Sequence, residues 1–210
     1  MSNARQSFAQ RQSLAQEAAR LMHDQGIKDF RLAKDKACAR LGVDPRKGNL
    51  PRNTEIEAAL AEHLRLFAGE ESAARLAQMR QAALSAMQRF ATFRPRLVGD
   101  ALSGMVTEHS DVQLHLFAEQ SEMVDMFLAE QGIPFELAER RFRFGGDRYE
   151  HYPAFRFVAG DVGFEAVAFP LERLRQSPRS LVDGQPMPRA GRAEVENLLL
   201  QSCGPAAATD

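Results

Sequence analysis

The spacing of apolar residues divides the chain into a helical first part and a second part that contains strands. Up to about residue 92, apolar side chains recur three or four positions apart, as they do on one face of an amphipathic helix. Four such stretches are present, and Gly26, Gly42 and Gly69 lie among them as predicted helix ends. We expect the fourth stretch to pack inside its own domain through a near-heptad seam formed by Leu76, Met79, Ala83, Met87 and Phe90.

After Pro95 the apolar pattern becomes that of strands. "RLV" is short and apolar, and "DVQLHLF" alternates with a period of two, which is typical of a strand with two different faces. A helix is predicted from Ser121, then a strand over "FELAERRFRF" and a hairpin whose turn is Gly160-Asp161. A last helix is predicted over about residues 192–201. This order predicts an α+β fold, in which an N-terminal helical region precedes a mixed or antiparallel sheet flanked by helices.

The change of pattern also sets the predicted domain boundaries. We predict a helical region over 1–92, an α/β core over 93–202 and a flexible tail over 203–210. On the strand "DVQLHLF", Asp111 and Gln113 begin one face, which we expect to look toward the open side of the sheet. The opposite, apolar face should meet the helical layer and consists of Val112, Leu114 and Leu116.

Composition and charge narrow the class of protein. The formal net charge of −1 gives no global attraction to nucleic acid or anionic membranes, so a site for a polyanion would be a local patch. No stretch has the apolar character of a secretory signal or a membrane span, and we expect no association with a membrane. The two cysteines, Cys38 and Cys203, match no metal-ligand spacing and no disulfide framework, which indicates a reducing cytoplasm.

Three short stretches carry side chains suited to a phosphate and metal site. Two carboxylates one residue apart on a strand point the same way and can hold divalent ions jointly. A glycine after a strand lets the backbone approach a phosphate. Glu165 is the one acidic residue of an apolar strand, so we expect it to face solvent or to pair with a cation. The stretches are Val98-Gly99-Asp100, Ser110-Asp111-Val112-Gln113-Leu114 and Phe164-Glu165-Ala166.

These stretches resemble the motif of the nucleotidyltransferase superfamily of polymerase-β type. That motif is a hydrophobic strand ending in Gly-Ser, a short spacer, Asp-x-Asp on the next strand, and a third carboxylate on a later strand. The resemblance covers residues 94–169, about a third of the chain. It implies a nucleotidyltransferase fold, with a nucleoside triphosphate as substrate, Mg²⁺ or Mn²⁺ as cofactor, and a nucleic acid or a protein as acceptor.

The resemblance also implies roles for individual residues. Asp111 would be a catalytic residue and a metal ligand. Glu165 would be the third carboxylate, with the same two roles and that of a base. The remaining positions of the motif would bind the nucleotide, and they are Gly99, Asp100, Ser110 and Gln113.

Two departures from the motif leave the activity open. Asp100 stands where the motif has a phosphate-contacting Ser, and its carboxylate would repel a triphosphate unless a metal intervened. Gln113 stands where the motif has a carboxylate and offers only a neutral oxygen. One hypothesis is a nucleotidyltransferase-like protein that binds a nucleoside triphosphate with Mg²⁺ and transfers a nucleotidyl group to an unknown acceptor. The alternative is a catalytically degenerate nucleotidyltransferase fold retained as a binding or regulatory module.

Basic and histidine side chains provide further hypotheses. Residues 28–52 hold eight Lys or Arg against three Asp, which fits either a nucleic-acid-binding adaptor or a solvated helix face. His115 shares the face of Asp111, and without a His/Cys cluster a surface or hydrogen-bonded histidine is favoured over a metal ligand. Four arginines beyond the third-carboxylate strand would either hold phosphates or lie in an exposed loop: Arg173, Arg175, Arg179 and Arg189. The sequence determines neither the acceptor nor the oligomeric state.

Overall fold

The described part of the chain, residues 2–47, 49–67, 69–146 and 148–202 of a computed structural model, forms seven α-helices and five β-strands. The helices are α1 (Ser2–Gln25), α2 (Phe30–Leu41), α3 (Asn53–Phe67), α4 (Gly69–Arg89), α5 (Asp100–Ser103), α6 (Glu122–Glu130) and α7 (Arg192–Ser202). The strands are β1 (Arg96–Val98), β2 (Val112–Ala118), β3 (Glu136–Phe142), β4 (Glu150–Ala159) and β5 (Val162–Pro170). The predicted α+β class is therefore confirmed. The tail predicted over 203–210 lies outside the described residues.

The chain forms two compact units. The first comprises the chain up to Ser72 together with Thr107–His109 and Leu181–Gly184. The second comprises Ala73–Val106, Ser110–Ser180 and the described residues from Gln185 onward. The unit that contains the sheet thus begins inside α4, whereas the sequence pattern placed the start of the α/β core at residue 93. That domain boundary stays a prediction.

The first unit is built on α1, α2 and α3. The helix α2 begins after Asp29, whose carboxylate accepts hydrogen bonds from the backbone N–H groups of Arg31 and Leu32 at 2.7 and 3.0 Å. It ends at Gly42, as the sequence predicted, and Gly42 has the left-handed conformation common at helix ends. The three helices share a core of buried apolar residues that includes Leu14, Ala15, Ala18, Ala19, Leu21, Ala33, Ala37, Cys38 and Ile56.

The second unit is built on one mixed sheet with the strand order β1-β2-β5-β4-β3. The pair β2–β5 is parallel, and the other neighbouring strands are antiparallel. The predicted hairpin is present, because β4 and β5 flank Gly160-Asp161. In the register of the three central strands, Glu165 of β5 lies between Gln113 of β2 and Arg156 of β4. The register therefore places three polar residues in one row across the sheet.

The two faces of the sheet differ in what covers them. On the first face, the apolar side of β2 packs with residues of α4 and α6, as the sequence predicted. The seam of α4 belongs to this core, which includes Met79, Ala83, Met87, Phe90, Val112, Leu114, Leu116, Val124 and Leu128. The second face carries a smaller buried cluster at one end, formed by Phe117, Phe144, Tyr152, Ala154, Val167 and Phe169. Its other end carries the charged residues of the candidate site.

Candidate functional site

The structure brings Asp111, Gln113 and Glu165 together on the second face of the sheet. Gln113 and Glu165 are direct neighbours in the parallel pair β2–β5. Asp111 comes just before β2, and its carboxylate lies over the Cα of Gly163, two residues before Glu165 on β5. Asp111 and Glu165 therefore lie on one face, as the alternation of the two strands predicts.

Glu165 is buried in a cluster with two arginines. Its exposed fraction is 9%. Arg140 donates from Nε to Oε1 at 2.9 Å and from Nη2 to Oε2 at 2.5 Å. Arg156 donates from Nε to Oε2 at 3.1 Å. Of the two expected surroundings, solvent or a cation, the structure has the second, and both carboxylate oxygens accept charge-assisted hydrogen bonds.

The charges of this cluster determine its protonation. Burial alone would raise the pKa of Glu165, but hydrogen bonds and charges from Arg140 and Arg156 together lower it below its usual value. The hydrogen bond to Glu165 raises the pKa of Arg140, against the effect of burial, and the charge of Asp111 adds to the increase. Glu165 is thus an ionised carboxylate already held by donors within the protein. Such a group is a weak general base.

The loop after β1 is shaped around Gly99. Gly99 has φ +68° and ψ −147°, a backbone conformation that residues other than glycine rarely adopt. Its carbonyl oxygen accepts hydrogen bonds from the N–H groups of Leu102 and Ser103 at 3.0 and 2.9 Å. The amide oxygen of Gln113 occupies the space that a Cβ on residue 99 would need. The approach to the backbone of Gly99, where the resemblance implies a phosphate, is therefore covered by the Gln113 side chain.

Asp100 and Ser110 bond to each other across the turn between β1 and β2. The Ser110 hydroxyl donates to Oδ2 of Asp100 at 2.6 Å, and Ser110 is buried. This bond joins the first residue of α5 to the segment that leads into β2. It gives both residues an internal role that the sequence did not indicate. Their role in nucleotide binding stays a prediction.

The arrangement does not fit a Mg²⁺ or Mn²⁺ ion. Both ions prefer several oxygen ligands, in a near-octahedral geometry for Mg²⁺. Here the oxygens of Glu165 accept hydrogen bonds from two guanidinium groups, and the amide of Gln113 packs on Gly99. A divalent cation ligated by Glu165 would compete with Arg140 and Arg156 for its oxygens and would be repelled by their charges. The predicted metal cofactor, with Asp111 and Glu165 as its ligands, therefore stays a prediction that this geometry does not support.

The other end of the same face buries a histidine among aromatic rings. His115 is 2% exposed, and its ring centroid lies 4.7 Å from that of Phe169 and 5.6 Å from that of Phe142. Its Nδ1 accepts a hydrogen bond from Nε of Arg189 at 3.0 Å. Burial, with a further contribution from Arg189, lowers the pKa of His115 well below its usual value. Of the two predicted surroundings, a surface position or a hydrogen bond, His115 has the second, since it is buried and bonded to Arg189.

Two of the four loop arginines hold the loop that follows β5 against this aromatic end. Arg189 lies over the rings of Phe117 and Phe169 and donates from Nη1 to the carbonyl of Arg173 at 2.9 Å. Burial, and the nearby Arg96, lower the pKa of Arg189 to about 10. Arg173 donates to Oε2 of Glu150 at 2.7 Å. Both guanidinium groups thus serve internal contacts.

Sequence inspection missed the two arginines that bind Glu165. A signal for Arg156 was present, because a two-residue turn at Gly160-Asp161 pairs residue 159 with 162 and hence Arg156 with Glu165. Arg140 lies on the edge strand β3, with β4 between it and Glu165. A longer connection joins β3 to β4, and it does not reveal their register.

Comparisons with known proteins give no information about function, so the functional argument rests on the geometry of the site. No protein-family model, no curated protein and no solved structure matches the chain. Among the helices of the described residues, none is long and apolar enough to cross a membrane. In the basic segment 28–52, Arg40 pairs with Glu17 at 2.9 Å and Lys36 donates to Gln25 at 3.0 Å. A nucleic-acid contact by this segment stays a prediction.

Proposed function

We propose that this chain is a nucleotidyltransferase-like module that serves binding or regulation and does not transfer nucleotidyl groups. The observation that carries the proposal is the double contact of Glu165 with Arg140 and Arg156. These arginines use the oxygens through which a third carboxylate would ligate a metal. The contacts of Glu165 support a protein that has kept the nucleotidyltransferase-like sheet but has lost metal-dependent nucleotidyl transfer.

The strand arrangement supports the first half of this proposal. The short strand β1, Gly99 and α5 lead to β2, which begins just after Asp111. The later strand β5 then places Glu165 beside β2 in a parallel pair. This is the order of features that the resemblance implies. A fold of this kind hosts different functions, so the conclusion about activity rests on the site alone.

The charge of the site supports the second half. Gln113 supplies no negative charge, and the charge of Glu165 is balanced inside the protein by two guanidinium groups. A metal-bound triphosphate would therefore meet a site with less negative charge than the motif provides. It would also have to break hydrogen bonds that are made in its absence. Both effects oppose Mg²⁺-dependent nucleotide binding.

Calorimetric titration with ATP, with and without Mg²⁺, tests the proposal on the full chain. We expect no Mg²⁺-dependent ATP binding by the wild type or by Gln113→Asp, because Arg140 and Arg156 still hold Glu165 in that variant. Adding Arg140→Gln and Arg156→Gln to Gln113→Asp should expose three acidic side chains and produce Mg²⁺-dependent binding. Circular dichroism of each variant confirms that it is folded.

A second candidate function, transfer of a nucleotidyl group with Mg²⁺, is favoured by the placement of Asp111, Gln113 and Glu165 on one face. The same titrations separate the two functions. Mg²⁺-dependent ATP binding by the wild type that Asp111→Asn removes would support the second candidate and contradict the loss of the metal site on which the first candidate rests. Asp125→Asn, on the helix α6, is a matched control because it removes one carboxylate outside the site.

A further inference from the structure

Two histidines and an aspartate meet where the last turn of α1 lies beside α3 in the first unit. Nδ1 of His23 lies 3.0 Å from Oδ1 of Asp24. The ring centroids of His23 and His63 are 4.9 Å apart, and the rings meet edge to face at 65°. One ligand atom from each of the three residues lies within 4.8 Å of the other two. Both imidazoles are half-buried, and the carboxylate is exposed.

Helix packing holds the two histidines near each other. On α3, His63 follows Ile56, Ala59 and Leu60 at spacings of seven, four and three residues, so these side chains share one helix face. Ile56 is buried in the core with residues of α1, and Ala59 and Leu60 pack against that core. On α1, His23 comes two residues after the buried Leu21. The candidate ligands therefore stand on packed helices rather than on loops.

The charges around Asp24 keep its carboxylate ionised and oriented. The hydrogen bond with His23, followed by the charge of Arg20, lowers the pKa of Asp24 against the effect of burial. Arg20 donates from Nη1 to Oδ2 of Asp24 at 3.2 Å, which leaves Oδ1 toward His23. Arg20 is itself paired with Glu17 at 3.1 Å, so its positive charge is balanced locally.

We propose that His23, Asp24 and His63 form a binding site for Zn²⁺. Two imidazole nitrogens and one carboxylate oxygen are ligands that Zn²⁺ takes in proteins. Donors around a tetrahedral Zn²⁺, with bonds of about 2.0–2.1 Å, lie about 3.3 Å apart. The three donor atoms, now within 4.8 Å of one another, have to converge by about 1.5 Å at most. Side-chain rotation of half-exposed residues supplies such a movement.

A Zn²⁺ held by three protein ligands keeps a fourth position for water or another ligand. His63 also lines a groove of about 630 Å³ in the first unit, whose apolar side chains include Phe8, Leu41 and Leu66. His63 is the proposed ligand that lines this groove, which also carries charged side chains such as Arg11 and Glu55. A small molecule with a donor for Zn²⁺ and a body that is partly apolar and partly polar is the class of ligand that fits both features.

Titration of the tag-free full chain with ZnCl₂ tests the site. We expect one equivalent to bind, and His23→Gln and His63→Gln each to weaken the affinity by at least about tenfold. Asp24→Asn, which changes an exposed side chain and little of the packing, should weaken it as well. His151→Gln is the matched control: His151 is an exposed histidine whose Nδ1 lies 2.6 Å from Glu139 in the second unit, and its loss should leave the affinity unchanged.

Two further readouts distinguish this site from adventitious binding. Co²⁺ in place of Zn²⁺ should give the intense visible absorption of a four-coordinate ion in the wild type and in His151→Gln only. In NMR spectra of the histidine rings, Zn²⁺ should shift the resonances of His23 and His63. Equal Zn²⁺ affinity in the wild type and in His23→Gln/His63→Gln, or the absence of binding by the wild type, would overturn the proposal.

Discussion

At one end of the sheet's second face a carboxylate, Glu165, is buried with two arginines, whereas at the other end an imidazole, His115, is buried with one. Glu165 remains ionised because the positive charges of Arg140 and Arg156 stabilise its carboxylate. His115 is neutral because its aromatic surroundings desolvate it and its partner, Arg189, is a cation. The same face thus buries Glu165 as an ion and His115 as a neutral side chain.

The two buried groups differ in how much each depends on the positive charge of its arginine partners. Removal of the arginines would leave a buried negative charge uncompensated at one end, whereas His115 has no charge to compensate. At the aromatic end the cation is Arg189, and its Nη2 is buried without a hydrogen-bond partner in the part of the chain that the structure describes. Each end is therefore sensitive to a different change.

The largest effect should come from removing the partners of Glu165. In Arg140→Ala/Arg156→Ala we expect the free energy of unfolding to fall by about 3 kcal/mol, because a buried carboxylate loses its counter-charges. Glu165→Gln should cost only about 1 kcal/mol, since the two arginines, with side chains 38% and 43% exposed, can be solvated. Urea unfolding at pH 7 measures both.

An exposed ion pair provides the control for that comparison. Arg192→Ala breaks the pair with Glu196, whose side chains are 55% and 45% exposed, and should change the free energy of unfolding by less than about 0.5 kcal/mol. Equal losses in Glu165→Gln and in the double arginine variant would contradict the role of an uncompensated charge.

The next effect concerns the loop beside the charged end. Gly99→Ala should lower the free energy of unfolding by about 2 kcal/mol, because the backbone conformation disfavours a side chain and the new Cβ overlaps the Gln113 amide. Adding Gln113→Ala removes the overlap but leaves the backbone strain, so only part of the stability should return. Full recovery in the double variant, measured by urea unfolding, would show that the backbone is unstrained.

A pH dependence tests the aromatic end. The pKa of His115 is lowered in the folded state. As the pH falls below the ordinary histidine pKa of about 6.5, His115 therefore binds a proton more readily in the unfolded state than in the folded state. Stability from this residue is complete above pH 6.5 and decreases below it, by up to about 1.4 kcal/mol per pH unit. The contribution of Glu165 is lost only below its ordinary pKa of 4.5.

Unfolding in urea at pH 5.0 and 7.0 separates the two ends. The loss of stability between these values should be smaller in His115→Gln than in the wild type, because glutamine can still accept from Arg189 but does not titrate. His151→Gln, which changes an exposed histidine, should retain the pH dependence of the wild type. The same dependence in His115→Gln and the wild type would contradict burial as a neutral imidazole.

The smallest effect is expected at Gly163. A Cβ at this position meets only the end of the Asp111 side chain, and no positive φ disfavours a side chain there. Gly163→Ala should therefore cost less than about 1 kcal/mol and displace the Asp111 carboxylate. Unfolding in urea, compared with Gly99→Ala, measures the difference; an equal loss at both glycines would contradict it.

Local patterns predicted the elements of the sheet well. The alternation from Asp111 to Phe117 predicted both the strand and its two faces, because a period of two fixes which side chains share a face. The turn at Gly160-Asp161 predicted the hairpin, and with it a register that pairs Arg156 with Glu165. These features depend on residues close together in sequence.

The polar contacts of the site were harder to predict because their partners are distant in sequence. Arg189 and His115 meet through a loop whose path no short pattern specifies. Arg140 reaches Glu165 from the edge strand, so its contact depends on the order of the whole sheet. Asp111, Gln113 and Glu165 lie on one face as the strands implied. A cation beside Glu165 was one of its two expected surroundings, but the sequence did not predict which residues supply it.

The strand order also has a consequence for how the protein folds. The central strand β5 is the last of the five strands in sequence, and it separates the pair β1–β2 from the pair β3–β4. During synthesis, the edges of β2 and β4 that pair with β5 stay unpaired until β5 has left the ribosome. Such edges are sites at which chains associate wrongly. Closure of the sheet by β5 joins segments far apart in sequence, so we expect it to be the slow step of folding.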